Sequence, residues 1–406
     1  MKSIKFNSIT ETFINWTASD KNIEPIKKLL VFNGYSLWWS SNLIKKDIFI
    51  NNTWFTKLVK KLFGEEIQIS NQAKKRGVSY FIYLFLYDCI KFLLIKAFVK
   101  KMNIESNNIF FYSLEINLKN NNDVIIDRNL GKLPIKSSEY GYKHTYIIHL
   151  KKDLSTLNPI RLYKRLKKYS SSKSRILVLD NYIKFTDIIR IHFGILWLYV
   201  KFIFIKNKNS FRELFIINNI DCSKILIDEL EQSFFGTFQN SLFSAYSYAN
   251  WAKSNSTKLI TVNTLENLSG IRAIYYFTRN HCSNCKFISI QHSEINSNKI
   301  DFINSRNEFL GVSKEKSYSP MPDHYYLHGE HAYNIINRYM PSDRLHIIGC
   351  IKYDSFTELF ANKEKISSQV EKKFGLSGAF VILIAPSIGV DFFNTMELVR
   401  KINFKK

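Results

Sequence analysis

Two ionisable side chains follow apolar, strand-like segments and could carry out acid–base chemistry. Glu266 comes shortly after Leu259–Val262, and His292 follows Phe287–Ile290 within the triplet Gln291-His292-Ser293. A carboxylate can deprotonate a hydroxyl nucleophile, and a histidine can act as an acid or base or bind a phosphate or sugar hydroxyl. The alternatives are a glutamate that stabilises a helix N-terminus and a loop histidine bonded to a backbone carbonyl. The spacing alone does not separate these interpretations.

The paired cysteines Cys282 and Cys285 form a CxxC motif that a metal or redox centre could use. A structural zinc site needs a second ligand pair, but the other cysteines, Cys89, Cys222 and Cys350, lie singly along the chain. We therefore predict a structural role for the pair and no metal. Five cysteines in 406 residues do not form a disulfide framework, which favours a reducing, cytoplasmic compartment.

Several well-defined catalytic motifs are absent from the sequence. It contains no GxGxxG, Walker A or HExxH motif, and Ser387 does not lie in a GxSxG motif. The sequence therefore does not support dinucleotide-dependent, P-loop, zincin or serine-hydrolase chemistry, and we predict no cofactor.

Short apolar segments that end in polar residues and lead into helical stretches predict the fold. They recur from Arg175 onward as Ile176–Leu179, Leu259–Val262, Phe287–Ile290, Tyr325–Leu327, Leu345–Ile348 and Phe380–Ile384. Fully apolar strands that alternate with helices indicate an α/β fold with a doubly wound parallel sheet covered on both faces. Ligands of such sheets bind beyond the carboxyl ends of the strands. We therefore expect substrate to contact the polar residues after the strands, namely Asp180, Gln291, Ser293, Gly329, Glu330 and Ser387.

Charge and hydropathy raise the question of a membrane. The 58 Lys and Arg against 34 Asp and Glu give a net charge of +24, which would draw the chain to an anionic surface. Ser79–Val99 and Ile189–Ile205 are long and apolar, but charges interrupt both, so neither is a good spanning helix. We favour buried core helices, with a helix lying in the membrane interface as the alternative. Trp38 and Trp39 could form a sugar-stacking or lipid-facing platform, although such clusters more often lie in a core.

The ordered series from Leu259 to Asp354 resembles bacterial surface-polysaccharide glycosyltransferases of the GT-B type. The resemblance rests on four segments: the strand ending near Glu266, the strand ending in Gln291-His292-Ser293, the segment MPDHYYLHGEHA from Met321, and RLHIIGCIKYD ending at Asp354. The resemblance implies a Rossmann-like acceptor domain with Glu266 as the candidate base and His292 as a ligand in the cleft. It also implies that Phe380–Ser387 begins a second, donor-binding Rossmann-like domain.

We expect three regions on this basis: an aromatic-rich N-terminal α/β portion of the acceptor half (1–150), a Rossmann-like acceptor domain (151–360), and a linker with the start of a donor domain (361–406). A donor domain needs about 100 residues or more, so we expect it to be truncated and the chain to be inactive alone.

The resemblance implies transfer of a sugar, of hexosyl or Kdo type, in O-antigen, capsule or lipopolysaccharide biosynthesis. The implied partners are a nucleotide-sugar donor, a glycan or lipid-linked acceptor and an anionic membrane surface. We expect a cytoplasmic protein, peripheral on the inner face of the membrane. The alternative is a non-enzymatic basic protein that binds a membrane surface or nucleic acid, of which nucleic acid is the less expected partner.

Overall fold

A computed structural model describes residues 11–45, 54–64, 77–100, 102, 107–121, 124–150, 152–170, 174–255, 259–263, 269–295, 302, 304–309, 318–353 and 360–376. The chain divides into two compact units, residues 1–353 and 354–406. Each is treated separately below.

The first unit is built around a sheet of seven parallel strands. They are β1 (Asn108–Leu114), β2 (Lys143–His149), β3 (Ile176–Val178), β4 (Leu259–Asn263), β5 (Cys285–Ile290), β6 (His324–Leu327) and β7 (Leu345–Ile347). Their spatial order is β3-β2-β1-β4-β5-β6-β7. This is the doubly wound order of a Rossmann-like fold with a seventh strand added, and it reverses direction between β1 and β4.

Helices precede and connect the strands and cover both faces of the sheet. In chain order they are α1 (Asp20–Leu29), α2 (Asn42–Lys45), α3 (Trp54–Leu62), α4 (Val78–Phe98), α5 (Leu133–Glu139), α6 (Pro159–Ser170), α7 (Phe185–Ile205), α8 (Asn209–Arg212), α9 (Ser223–Ser233), α10 (Thr237–Lys253), α11 (Ser269–His281), α12 (Arg306–Phe309) and α13 (Glu330–Ile336). Residues 11–17 are also helical.

Two successive side chains of β1, which point to opposite faces of the sheet, show why the strands are apolar on both faces. Phe110 packs edge-on against Trp251 of α10, with ring centroids 4.8 Å apart. Phe111, on the opposite face, contacts Tyr146 at 6.2 Å. Both phenylalanines are fully buried, so each face of the strand needs an apolar side chain.

The predicted α/β class and parallel sheet are confirmed, but the sheet begins earlier than predicted. Its centre is β1, and β1 and β2 come from the N-terminal portion of the expected acceptor half. The sheet therefore runs across the expected boundary at residue 150. The strand Lys143–His149 was missed because polar residues flank its short apolar run TYII.

The aromatic N-terminal region contributes to the same core. Trp38 and Trp39 are 0 % and 1 % exposed, which supports the core interpretation over a stacking platform. A two-residue antiparallel pair, Val31–Phe32 with Tyr35–Ser36, precedes them.

The second unit is described over residues 360–376. It contains α14 (Lys363–Phe374), which ends at Gly375 in the left-handed conformation, with φ of +64°. The predicted strand Phe380–Ile384 lies outside the described residues.

Candidate functional site at the carboxyl edge of the sheet

The structure describes one residue of the predicted catalytic pair, His292, and not the other, Glu266. Glu266 lies outside the described residues, as does Ser387. His292 follows β5 and is half-buried. Their expected meeting in one cleft stays a prediction.

Gln291 joins the loops after β5 and β6. Its side-chain oxygen accepts a 2.8 Å hydrogen bond from the backbone N–H of His328, and its side-chain nitrogen donates to the Ser293 carbonyl at 2.8 Å. The His328 Nε2 lies 2.7 Å from the Gln291 carbonyl oxygen. Gln291 is buried, so its observed contacts hold the loop that presents His292.

Gly329 and Glu330 begin α13 at the same edge. The Gly329 backbone is extended and its carbonyl accepts a 3.1 Å hydrogen bond from the N–H of Tyr333. Glu330 is exposed in the first helical turn, so its carboxylate is open to a ligand that approaches from solvent.

Asp180, which follows β3, forms a buried ion pair. Its Oδ1 lies 2.5 Å from the Lys91 ammonium of α4, and its Oδ2 accepts a 2.9 Å bond from the N–H of Leu150. His149 at the end of β2 is 3.4 Å from the same oxygen. Burial opposes ionisation, but Lys91 and His149 hold the pKa of Asp180 well below its usual range. A substrate role for Asp180 stays a prediction, while its observed contacts join β2, β3 and α4.

A second charged group, formed by Asp88, Lys152 and His192, lies between α4 and α7. The Asp88 carboxylate is 2.8 Å from the Lys152 ammonium and 3.0 Å from Nε2 of His192. Burial would raise the pKa of Asp88, but His192 and Lys152 lower it below the usual value. Burial also lowers the pKa of Lys152, against the opposing effect of Asp88. The sequence analysis missed this group because its members lie far apart in the chain.

The point where the strand order reverses carries a further carboxylate, Asp127. It accepts hydrogen bonds from the Ser113 hydroxyl of β1 and from the backbone N–H groups of Asn129 and Leu130. Burial raises the pKa of Asp127, although these hydrogen bonds oppose the rise. On the neighbouring strand β4, Asn263 accepts a 3.1 Å bond from Ser289 and donates to Tyr275. Asp127 and Asn263 therefore each have hydrogen-bond partners of their own.

Arg272 of α11 was also missed as a site residue. It is 7 % exposed and lines a cavity between α11, α12 and β6. Its position in the first turn of the helix after β4 was visible in the sequence, but its burial was not.

The described residues contain no group of three or more His, Cys, Asp or Glu arranged to hold a metal ion. Cys282 and Cys285 are free thiols with sulfur atoms 3.0 Å apart.

No family model, curated protein or solved structure matched this chain.

Proposed function

We propose that the chain is a glycosyltransferase-like protein of cell-surface polysaccharide biosynthesis that acts at an anionic membrane surface. It would transfer a sugar from a nucleotide-sugar to a glycan or lipid-linked acceptor, with residues 1–353 as the acceptor half. The sequence resemblance is the source of the proposed reaction. The doubly wound sheet supports it, because His292 and Glu330 lie at the edge where such folds bind ligands.

The observation that carries the membrane part is the inverted polarity of α4. Two of its three charged side chains, Asp88 and Lys91, are buried, at 2 % and 4 % exposure, and the third, Lys96, lies in the last turn. Its exposed side chains are apolar and recur every three or four residues, at Ile82, Leu86, Ile90 and Leu93. Such spacing places them on one face, so α4 presents an uncharged stripe outward.

Helix α7 also presents exposed apolar side chains, although its cations Arg190 and Lys201 are exposed as well. Asp187 and His192 are buried, whereas the exposed stripe contains Phe185, Ile189, Phe193, Trp197, Val200 and Phe204. By length and composition, α7 could cross a bilayer, and it is the one described helix that passes this test. Its inner face packs on the sheet domain, however, so we place α7 along the membrane plane with only its outer face in lipid.

The two stripes form one surface, which we call the α4–α7 surface. Phe85 and Phe193 contact each other with ring centroids 6.1 Å apart, and Phe92 and Phe185 do so at 5.8 Å. At the other end of α4, Phe98 contacts Tyr163 of α6 at 6.1 Å. The basic helix α6 therefore borders the apolar surface.

The charges at this surface match an anionic leaflet. The only acids in α4, α6 and α7 are Asp88 and Asp187, and both are buried. The exposed charged side chains of the three helices are cationic: Lys96, Arg161, Lys164, Lys167, Lys168, Arg190 and Lys201. Each cation near anionic lipid contributes about 1 kcal/mol.

The apolar contribution is of similar size. Leu93, Trp197 and Phe204 are 64 %, 61 % and 74 % exposed. Complete burial of such side chains contributes about 1.5–3 kcal/mol each, so lipid that covers the exposed part contributes about 1 kcal/mol or more per residue. A nucleic-acid backbone would attract the cations but would leave the aliphatic stripe of α4 in water, so a membrane fits better.

Vesicle flotation tests the membrane part. We expect the protein to float with phosphatidylglycerol vesicles and much less with phosphatidylcholine, and added salt should weaken binding. The double variant Leu93→Glu/Trp197→Glu should lose affinity by about tenfold or more, because two carboxylates replace apolar contacts.

The matched control is Ile347→Glu, an exposed position on β7 at the opposite end of the sheet from β3. Equal flotation of all three proteins would refute the proposed surface. Size-exclusion chromatography with light scattering tests the alternative occupant, since a dimer that the double variant dissociates would assign the surface to a second copy.

Nucleotide-sugar binding tests the reaction class. Although we expect no turnover from a truncated donor domain, the ligand edge of residues 1–353 should still bind a nucleotide-sugar through His292. At least one nucleotide-sugar should therefore raise the melting temperature of the wild-type protein and not that of His292→Ala, with Ile347→Glu again as the control. A sequence-indifferent, steeply salt-dependent affinity for DNA without any nucleotide-sugar response would favour the non-enzymatic alternative.

A further inference from the structure

The guanidinium of Arg272 is buried beside a cavity whose walls are largely aromatic. Arg272 is 7 % exposed, and the cavity walls include Tyr275, Tyr325, Tyr339 and Asn304. The free space accommodates a group of only a few non-hydrogen atoms.

Within the described part of the chain, this guanidinium has no hydrogen-bond or ion-pair partner. It lies over the ring of Phe309, 5.4 Å from the centroid. The nearby acid is Glu308, which influences the charge of Arg272 electrostatically. Glu308 uses one carboxylate oxygen to accept a 3.0 Å bond from the Ser305 N–H, and it makes no ion pair with Arg272 among the described residues.

A second arginine of the same helix shows the contrast. Arg279 donates a 2.7 Å hydrogen bond to the Met321 carbonyl and lies 3.2 Å from an oxygen of Asp323. Arg279 therefore has the backbone and carboxylate partners that a structural arginine normally has. Arg272, although more deeply buried, lacks both.

A guanidinium in a residue that is 7 % exposed has little access to water, so an acceptor that enters the cavity would stabilise its unused donors. The group that best satisfies it is a planar or tetrahedral oxyanion, whose two oxygens accept two parallel N–H bonds. The tyrosine hydroxyls and the Asn304 amide supply further polar groups in the cavity wall. The free space is small, so it admits the terminal oxygens of a carboxylate or phosphoryl group rather than a larger ligand.

We propose that Arg272 is the centre of an oxyanion-binding site that takes a phosphoryl or carboxylate group of a ligand. The inference stands on the burial and missing partners of Arg272 and does not depend on the proposed sugar transfer. Two kinds of ligand could supply this oxyanion: a nucleotide or sugar phosphate through a phosphoryl group, and an acidic sugar through its carboxylate.

Calorimetric titration of the full chain separates these sources. The probes are inorganic phosphate, uridine diphosphate, glucuronate and neutral glucose. Binding of phosphate or uridine diphosphate alone would assign a phosphoryl ligand, and binding of glucuronate alone would assign an acidic sugar. We expect no binding of glucose at this site.

Two substitutions connect the binding to Arg272. Arg272→Met should weaken binding of the active probe by at least about tenfold, and Arg272→Lys should weaken it less, because it keeps the charge but loses the bidentate geometry. The matched control is Arg338→Met, which removes an exposed arginine after α13 and should leave binding unchanged.

A stability measurement distinguishes a ligand site from a structural arginine. In ligand-free protein, Arg272→Met should unfold at the same or a higher urea concentration than the wild type, because it removes a buried charge that has no partner. A fall in the urea midpoint would mean that Arg272 stabilises the fold and would overturn the proposal. The same conclusion would follow if no oxyanion bound, or if Arg272→Met bound it as tightly as the wild type.

Discussion

Replacing Lys91 with methionine should lower the free energy of unfolding, because it leaves the buried Asp180 carboxylate without its cation. The two side chains are 5 % and 1 % exposed and lie 2.5 Å apart. Lys91 also donates a 3.2 Å hydrogen bond to the Leu150 carbonyl. In Lys91→Met the Asp180 carboxylate keeps its hydrogen bond from the Leu150 N–H but loses the positive charge of the Lys91 ammonium beside it. Loss of one partner of a buried pair typically costs about 3–5 kcal/mol, and we expect the free energy of unfolding to fall by that amount at pH 7.

The double variant Lys91→Met/Asp180→Asn is the matched control. It removes both charges, while the amide oxygen can still accept the bond from Leu150. We therefore expect it to recover most of the lost stability. Urea titrations followed by tryptophan fluorescence provide the measurement, because Trp38, Trp39 and Trp251 are buried in the same unit.

The pH dependence of the Lys91 effect follows from the depressed pKa of Asp180. In the wild type this group contributes stability above its unfolded pKa of about 3.9, and the contribution is lost as the pH falls towards the folded value. In Lys91→Met the folded pKa should rise above the unfolded one, so the penalty should diminish as the pH falls and the carboxyl becomes protonated. The difference between wild type and variant should thus shrink from pH 7 to about pH 4. A loss below about 1 kcal/mol at pH 7, or no recovery in the double variant, would refute this account.

Two further predictions concern close contacts. A Cβ at Gly194 of α7 would lie 2.3 Å from the Phe32 ring, which is buried, so Gly194→Ala should lower the free energy of unfolding by about 1–3 kcal/mol despite the better helix propensity of alanine. Urea unfolding measures it, and Gly329→Ala, where no atom lies within 4 Å of the added Cβ, is the control; equal stability of both variants would contradict the packing argument. Burial and the hydrogen bond with Cys282 raise the pKa of Cys285 above its usual range, so Cys285 should be alkylated by iodoacetamide more slowly than the partly exposed Cys350. Peptide mass spectrometry follows both sites over time, and faster labelling of Cys285 at neutral pH would contradict the prediction.

The sequence predicted the fold class well because strand burial leaves a local signature. Ile176–Val178, Cys285–Ile290 and His324–Leu327 are flanked by polar residues and helices, and all three lie where short apolar runs indicated them. The position of β1 in the centre of the sheet could not be predicted in this way. Strand order depends on crossovers that return over the sheet, and the connection from β3 to β4 alone contains four helices.

The candidate site was less predictable, because its contacts join distant parts of the chain. The QHS triplet marks the end of β5, but the contact between Gln291 and His328 spans 37 positions. Asp88 and His192 are separated by 104 positions, and neither residue type nor local spacing indicates their pairing. Arg272 lies on a predicted helix, but the cavity beside it is formed with α12 and β6, which are distant in the sequence. Its burial without a hydrogen-bond partner among the described residues could therefore not be predicted.

The two long apolar helices show what the sequence leaves open. Charges within Ser79–Val99 and Ile189–Ile205 argued against a spanning helix, since a charge inside a bilayer is costly. That argument assumes that a charge faces the same environment as the apolar residues beside it. In α4, Asp88 and Lys91 instead lie against Lys152, His192 and Asp180, and their partners on the sheet side offset the cost of burial. The outward face then contains no charge between Ser79 and Ile95. For an interfacial helix, the relevant quantity is therefore the direction in which each charge points, and the structure supplies it where the sequence average does not.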